Sequence, residues 1–412
     1  TGASDALMLS LPVLAHGTPE RTAFAGPASE AQPAEFGVDL PREAIAETVS
    51  LKLSVDPTPA AAMLGALDYL RRYPYGCLEQ TTSRFVPEIR AYQTVSALGL
   101  PRPAFVAEMP ALVEDGLKKI LAAQHADGGW GWFANDHSEA DLSAYVLYGL
   151  YETRQAGFMV PEAPVRSAIR YLKGVGARTG KDLVTPTEVR RGAGPDTLAS
   201  IAWTLSYWGQ ADTSLRDKLW RERNGLSNYG LALATIAYQQ SGDPQKARST
   251  WDMLKQQAKR TGTLVHWESR AQQFSWYDMA TETTAYAVRA GLLVEPNAPE
   301  VTGAVRWLVV NRQGDRWLST KDTGAIVMAL ADAMRYAAET GIPTAAEVLV
   351  NGQSVQRLDL SGEARYLGGQ VTLNGDALKP GRHTLTVRAE GTGELPVSGV
   401  LSYVAAREDI QP

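Results

Sequence analysis

Two hydrophobic periods divide the chain. Residues 1–56 carry short runs in which apolar and polar positions alternate: "ALMLSLPVL", "RTAFAG", "AEFGVDL" and "ETVSLKLSV". Residues 343–412 repeat the habit in "AEVLVNG", "QRLDL", "QVTLNG", "HTLTVRA" and "SGVLSYVAA". A period of two is that of a half-buried strand. Asn351-Gly352 and Asn374-Gly375 read as turns between such strands. Neither flank is large enough for a comfortable sandwich alone. The economical reading is one antiparallel β-sandwich split between 1–56 and 343–412.

Residues 57–342 follow a helical period instead. Six segments are apolar around most of their circumference, as buried helices are. They are "EQTTSRFVPEIRAYQTVSALG", "DLSAYVLYGLYETRQAG", "DTLASIAWTLSYWGQ", "SNYGLALATIAYQQSG", "TETTAYAVRAGLL" and "DTGAIVMALADAMRYAAETG". The last five open on Ser, Thr or Asp, residues that cap helix N-termini. Pro87, inside the first, is expected to bend or interrupt it. Amphipathic segments alternate with these at 59–72, 105–124, 161–173, 212–223, 244–258 and 298–310. Inner apolar helices ringed by half-exposed ones predict a mainly α fold, a six-hairpin α/α toroid, inserted in the split sandwich.

Composition narrows the picture. A chain of 412 residues exceeds one ordinary core. With 44% hydrophobic and 21% charged residues and a net charge of −5, it reads as globular, without general affinity for nucleic acid or anionic membrane. No apolar run reaches the ~18 residues of a membrane span. The first twenty residues lack the basic and apolar regions of a signal peptide, and we read them as the middle of a longer chain. We expect no direct membrane contact by this stretch.

The loops entering the inner helices are rich in aromatics: "DGGWGWF" at 127–133, "VHWESRAQQFSWYD" at 265–278 and "RWLST" at 316–320. By parity of the hairpins they share one face of the toroid, and "YPYGCLEQ" at 73–80 joins them there. Cys77 is the only cysteine. Three readings stand for it. A lone cysteine is most often a small buried apolar residue. A nucleophile needs a base, and His125, His137 and His266 lie in or near the aromatic loops, whereas His16 and His383 fall in the β flanks. Zinc is not expected, because one Cys with scattered His lacks ligand spacing. The third reading uses Gln80, which shares a side of the turn with Cys77 at i and i+3. Sulfur attack on its side-chain carbonyl, with loss of ammonia, gives an internal thioester that an amine can open. Gly76 would give the turn freedom and Pro74 would restrict its entry. Tyr73, Tyr75, Trp130, Trp132 and Phe133 are candidate walls against water, with plain packing at the toroid rim as the competing reading.

"PYGCLEQ" resembles the thioester motif of the α2-macroglobulin and complement superfamily, Gly-Cys-x-Glu-Gln, and "LPVLAHGTPERTAFAG" resembles its bacterial members. The resemblance implies a thioester domain (57–342) inserted in a CUB-like sandwich, with no cofactor. It implies Cys77 and Gln80 as the thioester pair, with Gly76, Leu78 and Glu79 as motif residues. His137, in "DGGWGWFANDHSEADLSAYVL", lies close to the family's acyl-transfer histidine. The implied function is a protease trap that acylates a Lys of its attacker once, without turnover. Its partners would be target proteases and the remaining macroglobulin domains. The implied setting is the periplasm, with the full-length protein a lipoprotein of the inner membrane.

Rival readings are a toroid enzyme and a binding module without a thioester. "QHADGGW" at 124–130 fits the Gln-x-x-x-Gly-x-Trp motif of triterpene cyclases, but their Asp-x-Asp-Asp acid is missing. Prenyltransferase zinc ligands are also missing. A glycosidase needs paired carboxylates, for which Asp127, Asp136, Glu139, Asp141, Glu268 and Asp278 are candidates.

Overall fold

Among the described residues the alternating flanks become eight strands in two antiparallel sheets, and the run "ALMLSLPVL" lies outside those residues. The computed structural model describes residues 16–73, 76–99, 104–178, 194–268, 279–336 and 342–406. From the first flank come β1 (Gly17–Ala28), β2 (Ala34–Leu40) and β3 (Ser50–Val55). The short pair β4 (Lys259–Thr261) and β5 (Leu264–His266) lies among the helices. The second flank supplies β6 (Ala345–Val350), β7 (Gln353–Asp359), β8 (Gly369–Asn374), β9 (Gly381–Glu390) and β10 (Leu395–Ala406). One sheet runs β1-β10-β3-β8 and the other β2-β9-β6-β7. Each therefore mixes strands from both flanks, and Leu53, Val55, Val348, Val371, Val387 and Val397 fill the space between them.

The two Asn-Gly pairs behave differently. Asn351 and Gly352 both have positive φ, 51° and 80°, as the two-residue β6–β7 hairpin requires. Asn374-Gly375 joins no hairpin, because β8 and β9 belong to opposite sheets. Gly375 is there for close approach: a Cβ would lie 2.1 Å from the Ala46 carbonyl oxygen.

Among the described residues the helical period builds six hairpins, each an outer then an inner helix. They are α1 (Pro59–Arg72) with α2 (Leu78–Ala97), α3 (Met109–Ala122) with α4 (Ala140–Gln155), and α5 (Glu162–Arg178) with α6 (Pro195–Tyr207). Then come α7 (Thr213–Glu222) with α8 (Asn228–Gln240), α9 (Pro244–Gln256) with α10 (Ala280–Val294), and α11 (Pro299–Val310) with α12 (Thr320–Ala333). A single turn, α13 (Ala364–Leu367), lies in the β part. The inner helices pack in a closed ring, α2-α4-α6-α8-α10-α12 and back to α2. Inner α8 is buried from Asn228 to Tyr238, whereas outer α9 buries only Ala247, Thr250, Trp251 and Leu254. Helix α2 runs unbroken through Pro87, which faces Gly324 of α12. The toroid and sandwich are joined by a buried ion pair, Arg312 Nη1 to Asp56 Oδ2 at 2.6 Å.

The aromatic loops repeat one device. Trp130, Trp267 and Trp317 are fully buried. Each indole donates to a last-turn carbonyl of the preceding outer helix: Ile120 at 2.9 Å, Leu254 at 2.7 Å and Leu308 at 2.8 Å. Each main-chain N–H donates to a hydroxyl on the following inner helix, Ser143, Thr284 or Thr323. The tryptophans thus satisfy carbonyls that helix ends leave open and staple outer to inner helix.

Candidate functional site

Cys77 is the N-cap of α2, with extended backbone at φ −67° and ψ 166°. Gln80 is the third residue of the helix. The two close a reciprocal pair of hydrogen bonds: the Gln80 main-chain N–H donates to Cys77 Sγ, and the Cys77 N–H donates to Gln80 Oε1 at 3.3 Å. This is a capping box with sulfur in place of the usual hydroxyl. It folds the Gln80 side-chain amide back over the turn, with its oxygen on the Cys77 N–H. Cys77 is only 8% exposed. Burial pushes its thiol pKa up, while the Gln80 and Glu79 amides at the helix N-terminus pull it down. Burial outweighs them, so the thiol lacks the lowered pKa of an activated cysteine nucleophile.

The neighbouring motif residues divide. Leu78 is buried in the toroid core and its N–H donates to the Trp132 carbonyl at 3.1 Å. That bond lays the 125–139 loop beside the turn. Gly76 is exposed, lacks positive φ, and a Cβ there would meet nothing within 4 Å. The expectation that the turn needs glycine's backbone freedom is therefore corrected: neither the backbone angle nor close packing requires a glycine there. Glu79 is buried, and its carboxylate accepts from Ser83 at 2.7 Å and from Thr320 of α12 at 3.2 and 3.3 Å. Burial raises its pKa, against the pull of Ser83 and Lys321.

Two of the proposed walls do not wall the site. Trp130 is a core staple, and Phe133 is 63% exposed. Tyr73 caps α1, half-buried and edge-on to Tyr69. Trp132 is half-buried against the toroid core. Pro74, Tyr75 and Asp278 lie outside the described residues. His137 is exposed on the loop, and among the described residues no hydrogen bond joins it to Cys77 or Gln80. His125 bonds Ser138, which donates to Asp127, so that set fixes the loop. His266 stacks on Trp307, and burial lowers its pKa. His383 bonds Asn351 and Lys379, and His16 is exposed at the start of β1.

A set of residues that sequence reasoning passed over surrounds the turn. Five inner helices carry a carboxylate in the first turn, Glu79, Asp141, Asp196, Glu282 and Asp322, and α8 carries Asn228. Acids there complement the helix dipole. They also link helix to helix around the mouth. Asp141 accepts from Thr197 of α6, and Asp196 from the Ser227 N–H at the start of α8. Asn228 donates to the Glu268 carbonyl ahead of α10, and Glu282 takes Lys321 of α12 at 2.6 Å. Thr320 on Glu79 closes the circuit. The signal was present, an acidic residue one to three places into most inner segments. Burial, with repulsion from Glu282, pushes Asp322 up to about 7 despite Lys321. Burial likewise holds Asp141 at about 7 against Thr197.

The opposite mouth mirrors this with cations. Asp332 is held between Arg289 at 2.9 Å and Arg90 at 2.8 Å, and Tyr148 donates to Glu152 at 2.5 Å. A cavity of about 400 Å³ opens there. Asp332 is kept below the usual carboxylate range by those arginines, so it is not the raised acid that a glycosidase pair needs. Asp127 is engaged by the Gly129 N–H and Ser138. Asp136 accepts from the Phe133 N–H. Among the described residues no three His, Cys, Asp or Glu groups are arranged to hold a metal.

The sequence matches the A-macroglobulin TED domain over residues 50–182 and 205–333. It is 24% identical over 352 residues to the alpha-2-macroglobulin of Thermotoga maritima, covering 83% of this chain and 18% of that protein. The chain thus spans about a fifth of that relative. Its fold is similar to native Escherichia coli alpha-2-macroglobulin from domain MG7 to the C-terminus. The TM-score is 0.70 at 19% identity, over 96% of this chain and 58% of the other. It is also similar to Salmonella alpha-2-macroglobulin reacted with methylamine, with TM-score 0.65 at 19% identity, over 96% and 24% of the chains.

Proposed function

The chain belongs to the A-macroglobulin TED domain family, and from that premise we propose that it is the acylating part of a larger, macroglobulin-like protease trap. The observation that carries the reading is the reciprocal bonding of Cys77 and Gln80 at the start of α2. Sulfur adds to the Gln80 amide carbon; the C–S bond forms, the C–N bond breaks, and ammonia leaves with the thiol proton. A Lys amine of a protease then attacks the same carbon. The C–S bond breaks, an amide forms, and Cys77 leaves as thiolate, taking the proton the amine sheds.

The local geometry serves both steps. The Cys77 N–H donates to the oxygen that becomes negative when the carbon turns tetrahedral. The Gln80 and Glu79 amides, at a helix N-terminus, favour the departing thiolate. The chemistry is stoichiometric, one acyl transfer per chain. Tyr73 and Trp132 are the described aromatics suited to covering the bond. On the same reading the rest of the macroglobulin body completes that cover, and the whole protein works in the periplasm, lipid-anchored to the inner membrane. Amines are its targets, because His137 is not joined to the pair.

Intact mass tests this. Freshly prepared protein is lighter than its sequence by one ammonia and shows no titratable thiol; methylamine adds once and releases the thiol. Cys77→Ser stays at sequence mass and keeps its fold. A full-mass parent whose thiol reacts at once, and which methylamine leaves unchanged, would sink the proposal.

A further inference from the structure

A thioester requires more than two side chains in sequence. Atoms must approach to about 3–3.5 Å in line, and a 1 Å misplacement costs about a hundredfold in rate. The reciprocal bonds of Cys77 and Gln80 fix the side chains relative to the turn, but something must fix the turn. Outside, the Trp132 carbonyl takes Leu78 N–H. Inside stands Glu79, 6% exposed, between the two reacting residues. Burying a carboxylate is costly unless its bonds are made, and these are made by Ser83 and Thr320. Ser83 is in turn 2.8 Å from the Tyr145 hydroxyl of α4. One carboxylate therefore ties the reacting turn to both neighbouring inner helices.

We propose that Glu79, held by Thr320, is a positioning residue of the acyl chemistry, and that this link of the polar circuit is distinct in purpose from the others. The inference rests on the thioester reading of Cys77 and Gln80. Asp141–Thr197 is the natural comparison. It too joins a buried threonine hydroxyl to a first-turn carboxylate of the neighbouring inner helix, at 3.0 Å, but serves no reacting turn. Both threonines are buried, so losing either hydroxyl has a similar effect on stability.

The experiment compares Thr320→Val, Thr320→Ser and Thr197→Val with the parent. Intact mass reads thioester yield, thiol release by methylamine reads rate, amide hydrogen exchange reads residues 77–81, and thermal melting controls for stability. Thr320→Val is expected to lower yield or shift the methylamine rate by about tenfold and to speed exchange at 77–81. Thr320→Ser restores parental values, and Thr197→Val melts like Thr320→Val but keeps parental yield and rate. Equal effects from both valine variants, or none from either, overturn the proposal. A parent without a thioester overturns the acylation reading instead. The positioning link then stands only if exchange at 77–81 rises in Thr320→Val alone, and falls otherwise.

Discussion

Replacing Asp322 by Asn should stabilise the protein, and more at alkaline than at acid pH. Asp322 is 1% exposed, beside the Glu282–Lys321 pair. Its carboxyl is raised from 3.8 to about 7, first by burial and then by Glu282, with Lys321 opposing. A carboxylate raised on folding gives stability that is complete below its unfolded pKa and is lost as pH rises to the folded one. At about 1.4 kcal/mol per pH unit, the loss reaches about 4 kcal/mol well above pH 7, of which about 2 kcal/mol falls between pH 5 and 7. Asn has the shape of the protonated acid and does not titrate. Against this, Lys321 loses a neighbouring charge and α12 a first-turn anion, about 0.5 kcal/mol for the latter. Urea unfolding at about pH 5 and about pH 8.5 should show the Asp322→Asn variant gaining on the parent by about 3 kcal/mol between the two. A difference that does not change with pH, or that shrinks as pH rises, would refute a desolvated carboxyl at this position.

Three further outcomes follow from the geometry. Trp130→Ala should cost about 3–5 kcal/mol, whereas Phe133→Ser should stay within about 0.5 kcal/mol; thermal melting separates a core staple from an exposed loop residue. Asp56→Ala, which strands buried Arg312, should cost about 3–5 kcal/mol, and equilibrium unfolding measures it. His137→Ala should leave the methylamine-driven thiol release at the parental rate, because no bond connects it to the acyl pair.

The fold was legible because its periods differ. Alternation in "AEFGVDL" and a fully apolar circumference in "SNYGLALATIAYQQSG" cannot be satisfied by the same backbone. The closed ring of inner helices follows from six repetitions of one unit. The contact of Cys77 with Gln80 was readable too, since i and i+3 meet on any helical turn. What escaped was tertiary. Nothing in "DGGWGWF" says which ring caps a helix and which meets solvent; Trp130 and Phe133 differ only in where the loop turns. Asn374-Gly375 has the letters of a hairpin, but its glycine answers to Ala46, more than three hundred residues away. Glu79 looked like a bare motif letter because its partner, Thr320, is 241 residues away.

That remoteness has a consequence for biosynthesis. The Cys77 turn is synthesised when less than a quarter of this stretch exists, and α2 is then one helix of an open arc. Only when α12 has been made and packed against α2 does Glu79 meet Thr320. If that contact sets the turn, the acyl chemistry proposed for Cys77 and Gln80 runs about tenfold slower while the protein is being built. On that reading, full reactivity arrives with the last hairpin of the toroid, after the toroid's own lysines have taken their folded positions.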